Sequence, residues 1–152
     1  MHSESFIYQS ETEVLEAAAG FIKERFKRSE TFTSALDAQN FLNLRLGYQE
    51  REVFAVLFLD SQHRLIQYQE LFFGTIDAAA VYPREVVKAA LHHNAAAVIF
   101  SHNHPSGVSQ PSQADISITD KLKKALDLID VRTLDHIIIG EDTFSFAESG
   151  YL

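Results

Sequence analysis

Two segments of this chain are almost continuously apolar, VFAVLFL at residues 53–59 and AAAVIF at residues 95–100. A strand with one face in water alternates apolar and polar residues, whereas an unbroken apolar strand is typical of burial on both faces. Both segments are far shorter than the roughly 18 residues that a membrane-spanning helix needs. The sequence therefore predicts an α/β (α+β) domain in which helices flank a central sheet.

The chain begins with a helical pattern. Residues 11–28 predict a helix because apolar side chains recur at helical spacing, at Val14, Leu15, Ala18, Phe21, Ile22 and Phe26. A second helix fits residues 34–46, with Ser34 as its N-cap. We therefore expect an N-terminal helical segment over residues 1–46, followed by one domain over residues 47–152. The first helix is expected to dock either on the body of the domain or on a second copy of the chain, which would make a homodimer.

The rest of the chain alternates strand and helix patterns. VFAVLFLD and LIQYQELFF predict two strands joined by the polar turn SQHR. Pro83 suits the first turn of the helix that follows, and AAAVIFSH predicts a further buried strand. After the loop HNHPSGVSQP, a helix is expected from Ser112 to about Asp130. VRTLDHIIIG and TFSFA are predicted to be the final strands.

Charge argues against nucleic acid as the main partner. Lys and Arg total 13 against 21 Asp and Glu, which gives a net charge of −8. Nucleic-acid binding depends on neutralising phosphates, so an acidic chain needs clustered cations. The nearest cluster is Lys23, Arg25, Lys27 and Arg28, interrupted by Glu24, and it is typical of the solvated face of a helix. DNA binding is therefore expected to be weak or absent.

The chain has no cysteine, which excludes disulfides, thiolate zinc sites and thiol nucleophiles. The first residues, MHSESFIYQSETEVLE, lack the basic start and apolar stretch of a signal peptide. Together with the short apolar runs, these features predict a cytoplasmic protein without membrane segments.

The stretch SHNHPSGVSQPSQAD at residues 101–115 points to chemistry. His102 and His104 are two residues apart at the end of a predicted strand, so their rings project to the same face. Imidazole nitrogen is a preferred zinc ligand. Pro105 ends the strand, Gly107 lets the loop turn back, and Asp115 follows in the first turn of the next helix. Three protein ligands and a fourth position for water are what catalytic zinc requires.

A simpler interpretation of Asp115 stands beside this one. Ser112 and Asp115 form the S-x-x-D pattern that is typical of a capped helix start, where an acid also complements the helix dipole. The two interpretations are compatible, since the backbone of Ser112 could cap the helix while its hydroxyl faces a metal. From the residues alone, both stay open.

Other candidate sites are weaker. Asp135 and His136 open the apolar run IIIG, where a buried hydrogen-bonding role is commoner than metal ligation. The chain has no H-E-x-x-H helix and no G-x-S-x-G turn. The cysteine-bearing signature of nucleobase deaminases is impossible here.

His102-Asn103-His104-Pro105, followed by Ser112 and Asp115, resembles the JAMM (MPN+) signature, in which H-x-H-P is followed by S-x-x-D. The bacterial RadC-like branch is the more specific match, through HNHPSG with PSQAD, FFGTID, YPREVVKAALHHNAAAVI, LDHIIIG and SFAESG. The resemblance covers about residues 50–152.

This resemblance implies a mixed sheet between helices, layered as in cytidine deaminases, with the N-terminal helices as an addition. It also implies one zinc ion per chain on His102, His104 and Asp115, with water as the fourth ligand. A glutamate directly before an apolar strand holds that water, which corresponds to Glu52 here, with Glu50 as the alternative. The implied activity is hydrolysis of peptide or isopeptide amide bonds, with Glu52 as the base and Ser112 as a hydrogen-bond donor to the oxyanion.

The alternative is a non-catalytic zinc-binding interaction module or a DNA-repair accessory module of the same family. Longer RadC-like proteins carry an N-terminal helix-hairpin-helix region, but residues 1–45 are too short and too acidic to resemble it. A structural zinc site is normally closed by four protein ligands. The three ligands found here favour the enzyme.

Overall fold

The computed structural model describes residues 7–29, 32, 34–76 and 80–152, with the backbone alone for residues 25–29. Within these ranges the chain forms four helices and five strands in a single sheet. In chain order they are α1 (Glu11–Ser29), α2 (Ala35–Leu46), β1 (Val53–Leu59), β2 (Leu65–Phe73), α3 (Pro83–His92), β3 (Ala97–Asn103), α4 (Gln113–Asp127), β4 (Arg132–Ile139) and β5 (Thr143–Ser145).

The sheet is mixed, with strand order β2-β1-β3-β4-β5. The pair β3 and β4 is parallel and is connected through α4, and the other neighbouring pairs are antiparallel. This arrangement puts β1, β3 and β4 at the centre. The end of β3 therefore lies between two other strands, and pairing on both sides fixes the directions of its side chains.

Helices cover both faces of the sheet, as the unbroken apolar strands predict. Every residue of β1 is buried, and successive residues alternate between two cores. One core lies under α2 and contains, among others, Phe41, Leu42, Leu46, Ala55, Leu57 and Ile137. The other lies under α3 and α4 and contains, among others, Phe54, Val56, Val86, Phe100, Ile118 and Leu122. The predicted α/β class is confirmed.

The helix boundaries follow the predicted signals with one difference. Ser34 caps α2 by accepting a hydrogen bond from the Asp37 amide, and Pro83 is the first residue of α3. The helix α4 ends at Asp127 rather than near Asp130. Asp130 adopts a left-handed φ of 59°, and the amide of Val131 then bonds the carbonyl of Leu126. The chain therefore turns into β4 one helical turn early.

The helix α1 packs on α2 and β2, so it docks on the body of the domain. Its inner stripe is narrower than predicted, because Val14 and Phe21 are 46% and 58% exposed. The side chains of Arg25, Phe26, Lys27 and Arg28 lie outside the described residues. The division at residue 46 and the homodimer stay predictions. In the described part of the chain, no helix combines the length and the apolar character that crossing a bilayer demands.

Asp135 is a buried acid on the α2 side of β4. Its carboxylate accepts hydrogen bonds from the Ser145 hydroxyl at 2.6 Å, the His136 amide at 2.7 Å and the Ala147 amide at 3.0 Å. Burial nevertheless raises the pKa of Asp135 above its ordinary value. The carboxyl therefore ties the C-terminal turn to β4, but its negative charge destabilises the fold as the pH rises through that raised pKa.

Asp135→Asn is expected to be as stable as the wild type or more stable at pH 7, because the amide oxygen still accepts both backbone bonds and the charge is gone. Asp135→Ala leaves buried groups unpaired and should lose about 1–3 kcal/mol. Denaturant unfolding at pH 7 and at pH 3 measures both effects. The difference between Asp135→Asn and the wild type should shrink at the lower pH. Equal destabilisation by Asn and Ala would show that the charge itself stabilises the fold.

Candidate metal centre

The two histidines of the H-x-H pattern converge as predicted. His102 is the second-to-last residue of β3 and pairs with Phe54 of β1 and Ile138 of β4. His104 follows the strand, and its amide bonds the carbonyl of Ile139 at 2.8 Å, which continues the pairing with β4. Both rings therefore point to the α4 side of the sheet, with their Nε2 atoms 3.0 Å apart.

The loop after His104 is held against the end of β4. The amide of Gly107 bonds the His104 carbonyl at 2.9 Å, and the Gly107 carbonyl accepts from the Glu141 amide at 2.7 Å. Gly107 has a left-handed φ of 89°, and a Cβ on Gly140 would lie 2.5 Å from the Gly107 carbonyl oxygen. Glycine at both positions therefore allows the close approach that returns the chain to the start of α4.

Asp115 combines the two roles that the sequence left open. Its carboxylate accepts a hydrogen bond from the Ser112 amide at 2.8 Å and completes a capping box. The same carboxylate lies 3.2 Å from His102 Nε2 through Oδ1 and 3.3 Å from His104 Nε2 through Oδ2. Asp115 is only 2% exposed. The cap therefore fixes the acid in the position where it meets both imidazoles.

Ser112 differs in one detail from the prediction that its backbone would cap and its hydroxyl would face the metal. Its hydroxyl oxygen itself caps α4, by accepting from the Asp115 amide at 3.0 Å. A hydroxyl can accept and donate at once, so this bond leaves its proton to donate elsewhere. Ser112 is exposed.

The donor set fits a tetrahedral metal ion. One ligand atom from each of His102, His104 and Asp115 can be chosen so that all three lie within 4.8 Å of one another, and the two Nε2 atoms are 3.0 Å apart. Each Nε2 atom is closest to a different oxygen of Asp115, at 3.2 and 3.3 Å. Zinc–ligand bonds of about 2.0–2.1 Å give a tetrahedron with edges of about 3.3 Å. The group contains three residues, which leaves one corner of a tetrahedron without a protein ligand.

The atoms of the three side chains that face one another are ring nitrogens and carboxylate oxygens, which repel one another unless positive charge lies between them. His104 Nδ1 lies 2.7 Å from the Val108 carbonyl, which can only accept, so Nδ1 carries a proton and Nε2 faces the group. The hydrogen bond to Asp115, with the charge of Glu52 adding to it, raises the pKa of His104. Burial alone would raise the pKa of Asp115, but the two imidazoles, which donate to its carboxylate when their Nε2 atoms are protonated and no metal is bound, outweigh burial and lower that pKa strongly. Protons or a metal cation must therefore separate these atoms.

Glu52 lies directly before β1, at the edge of this group. Its Oε2 accepts a hydrogen bond from the Ile76 amide at 2.6 Å, and its carbonyl accepts from the Gly74 amide at 2.9 Å. The side chain is half-buried, and its charge contributes to the raised pKa of His104. Glu50, the alternative, is exposed and lines a cleft of about 520 Å³ that also borders His104.

Asn103 holds the Glu52 loop to the histidines, and sequence reasoning missed this role. The side chain, 2% exposed, accepts from the Val53 amide at 2.7 Å. It donates to the carbonyls of Arg51 at 2.9 Å and Gln49 at 3.3 Å. One amide between the two histidines therefore fixes the backbone on both sides of Glu52. Its place inside the H-x-H pattern was the available clue.

The buried hydrogen-bonding role predicted for His136 is confirmed. It is fully buried against the rings of Phe54, Phe100 and Phe146, and its Nε2 lies 2.8 Å from His102 Nδ1. Full burial against these three rings disfavours a charged imidazole, so the ring is neutral. The same burial lowers the pKa of His136 well below its ordinary value. The sequence did not indicate that its partner would be a histidine of the metal group.

Comparison with known proteins yields one consistent family. The family model described as RadC-like JAB domain matches residues 32–151. A UPF0758 protein of Marinomonas sp. (strain MWYL1) is 63% identical over 138 residues, which are 90% of this chain and 62% of that protein. A UPF0758 protein of Vibrio cholerae is 57% identical over 142 residues, covering 93% of this chain and 90% of the relative. The chain thus spans less than two thirds of the Marinomonas relative but most of the Vibrio one.

Proposed function

The chain belongs to the RadC-like JAB domain family, and from this premise we propose that it is a zinc-dependent hydrolase of peptide or isopeptide amide bonds. One zinc ion per chain would be held by His102, His104 and Asp115. When bound there, zinc supplies a Lewis acid that lowers the pKa of water to about 7 and polarises a carbonyl oxygen.

Glu52 is the proposed general base and then general acid. Its Oε2 is occupied by the Ile76 amide at 2.6 Å, which orients the carboxylate and leaves Oε1 to exchange a proton. Oε1 would take a proton from the attacking water and return it to the leaving amine. The Ser112 hydroxyl, whose oxygen already accepts from the Asp115 amide, would donate its proton to the oxyanion of the tetrahedral intermediate.

The proposal rests on the number of protein ligands, together with an acidic side chain that a backbone hydrogen bond holds in place. The described residues bring together three side chains that could hold a metal ion, whereas a structural zinc site normally has four protein ligands. A further acidic side chain, Glu52, is fixed by a backbone amide and acts electrostatically on His104. Three ligands with a positioned acid favour catalysis over a purely structural ion.

Zinc affinity is expected to fall with decreasing pH, starting above the ordinary histidine pKa of 6.5. The raised pKa of His104 means that its proton is held to a higher pH, and zinc must displace that proton. Competition with a chromophoric chelator between pH 8 and pH 5.5 measures the effect. Glu52→Gln removes one charge that raises this pKa, so its curve should move to lower pH. A constant affinity down to pH 6 would contradict the expectation.

Hydrolysis itself is tested with a peptide library and branched isopeptide probes, analysed by mass spectrometry. Zinc-loaded protein should cleave amide bonds, and chelator-treated protein should not. Stoichiometric zinc without any cleavage would favour the alternative, a zinc-binding interaction or DNA-repair accessory module. DNA titration across a salt series is the matching test of that alternative, and we expect only weak, salt-sensitive binding from a chain of net charge −8.

A further inference from the structure

A chain of hydrogen bonds starts at one proposed metal ligand and ends at another. His102 Nδ1 lies 2.8 Å from His136 Nε2, and His136 Nδ1 lies 2.5 Å from the Thr119 hydroxyl. The Thr119 hydroxyl donates to the Asp115 carbonyl at 2.7 Å, one turn earlier in α4. This series of hydrogen bonds thus crosses from β3 through β4 to α4, and all the side chains that take part in it are buried.

Which atom donates in each of these hydrogen bonds follows from the last acceptor of the series, the Asp115 carbonyl. A carbonyl oxygen can only accept, so the single proton of the Thr119 hydroxyl is committed to Asp115. The hydroxyl must then accept from His136, which places the proton of that ring on Nδ1. A neutral ring protonated on Nδ1 has a lone pair on Nε2, and this lone pair must accept the Nδ1 proton of His102. His102 Nε2 is then left to face Asp115 and His104.

We propose that His136 and Thr119 are positioning residues that hold His102 in the Nδ1-protonated tautomer, with the Nε2 lone pair presented to the metal. The inference rests on the proposed metal site but adds residues that do not touch the ion. His104 reaches the same tautomer through the Val108 carbonyl, whereas His102 depends on a second histidine, whose own tautomer is set by a threonine.

The aromatic rings packed around His136 restrict the orientation of its imidazole ring. The ring is stacked on Phe146 at 4.8 Å and meets Phe54 and Phe100 edge-on at 5.6 and 5.9 Å. A flip of the ring would bring carbon atoms opposite His102 and Thr119. A change of tautomer would put a proton on His136 Nε2, and His102 would then have to carry its own proton on the metal side.

The decisive variant is Thr119→Val, which replaces the hydroxyl with a methyl group of similar size. His136 Nδ1 loses its acceptor, so the tautomer that donates from Nε2 becomes favourable and opposes metal binding. We expect metal affinity to fall on the order of 10-fold, the lower end of outer-shell effects. Thr119→Ser keeps the hydroxyl and should restore most of the affinity. Ile118→Val, at the neighbouring buried position of α4, controls for a general loss of packing and should leave affinity unchanged.

Histidine ring nitrogens observed by proton–nitrogen NMR of the metal-free protein test the tautomers directly, whether or not the protein hydrolyses anything. The proposal predicts that His136 is protonated on Nδ1 in the wild type and that Thr119→Val changes this state. A wild-type His136 protonated on Nε2 would overturn it. Equal metal affinity in Thr119→Val and the wild type would also overturn it. Failure of the wild type to bind any metal would instead count against the proposed function, because the tautomer of His136 is measured separately.

Discussion

Replacing Asp115 with alanine is expected to abolish zinc binding. Removing one of three protein ligands leaves an inadequate site, and the loss of affinity should exceed the roughly 10- to 100-fold loss that is typical of outer-shell changes. His102→Ala should have the same effect. Metal analysis after gel filtration without chelators, followed by competition titration, gives stoichiometry and affinity. The wild type should hold close to one zinc per chain.

Asp115 also belongs to a capping box, so a matched control must separate metal loss from helix damage. Ser112→Ala removes the other half of the box and should cost about 1 kcal/mol of stability, yet it should retain zinc. Thermal unfolding of Asp115→Ala and Ser112→Ala with added chelator compares the two helix starts directly. Stoichiometric zinc in both Asp115→Ala and His102→Ala would rule out the proposed ligand set.

Glu52→Gln is expected to keep zinc and to lose hydrolysis by about 10²- to 10⁴-fold, the usual contribution of general acid–base catalysis. The glutamine side-chain oxygen can still accept from the Ile76 amide, so the loop should keep its position. Rates on the best substrate from the library, measured at saturating zinc, isolate the proton transfer.

Glu50→Gln is the natural control, because Glu50 lines the same cleft as His104, whereas the Ile76 amide bonds Glu52. It should keep both zinc and activity. If Glu50→Gln lost activity while Glu52→Gln kept it, the base would be two residues earlier than we propose. Full activity in both variants would reject acid–base catalysis by this loop.

The layered fold could be predicted because its main cause is local. An apolar segment such as VFAVLFL has no polar face, and the structure buries β1 completely between two helical layers. The convergence of His102 and His104 was equally accessible, since residues two apart on a strand share a face. The position of Asp115 needed only a short loop and a capped helix start.

The parts that were missed depend on contacts between distant segments. Asn103 bonds residues about 50 positions earlier, and His136 meets His102 across 34 positions. No spacing rule connects such residues, because strand register and the turn of α4 bring them together. Glu52 shows the same limit, since only the resemblance to the RadC-like branch distinguished it from an ordinary polar residue before a strand. The exposed Val14 and Phe21 of α1 show that helical periodicity alone overestimates a buried face.

A crystal structure of the zinc-loaded protein, with data collected at the zinc absorption edge, tests the central claim most directly. We predict one anomalous peak, which marks a zinc ion bound by Nε2 of His102, Nε2 of His104 and one oxygen of Asp115. We also predict a water molecule at the fourth position, within hydrogen-bonding distance of Glu52. A fourth protein ligand at that position, or a zinc ion bound away from these three side chains, would contradict the claim.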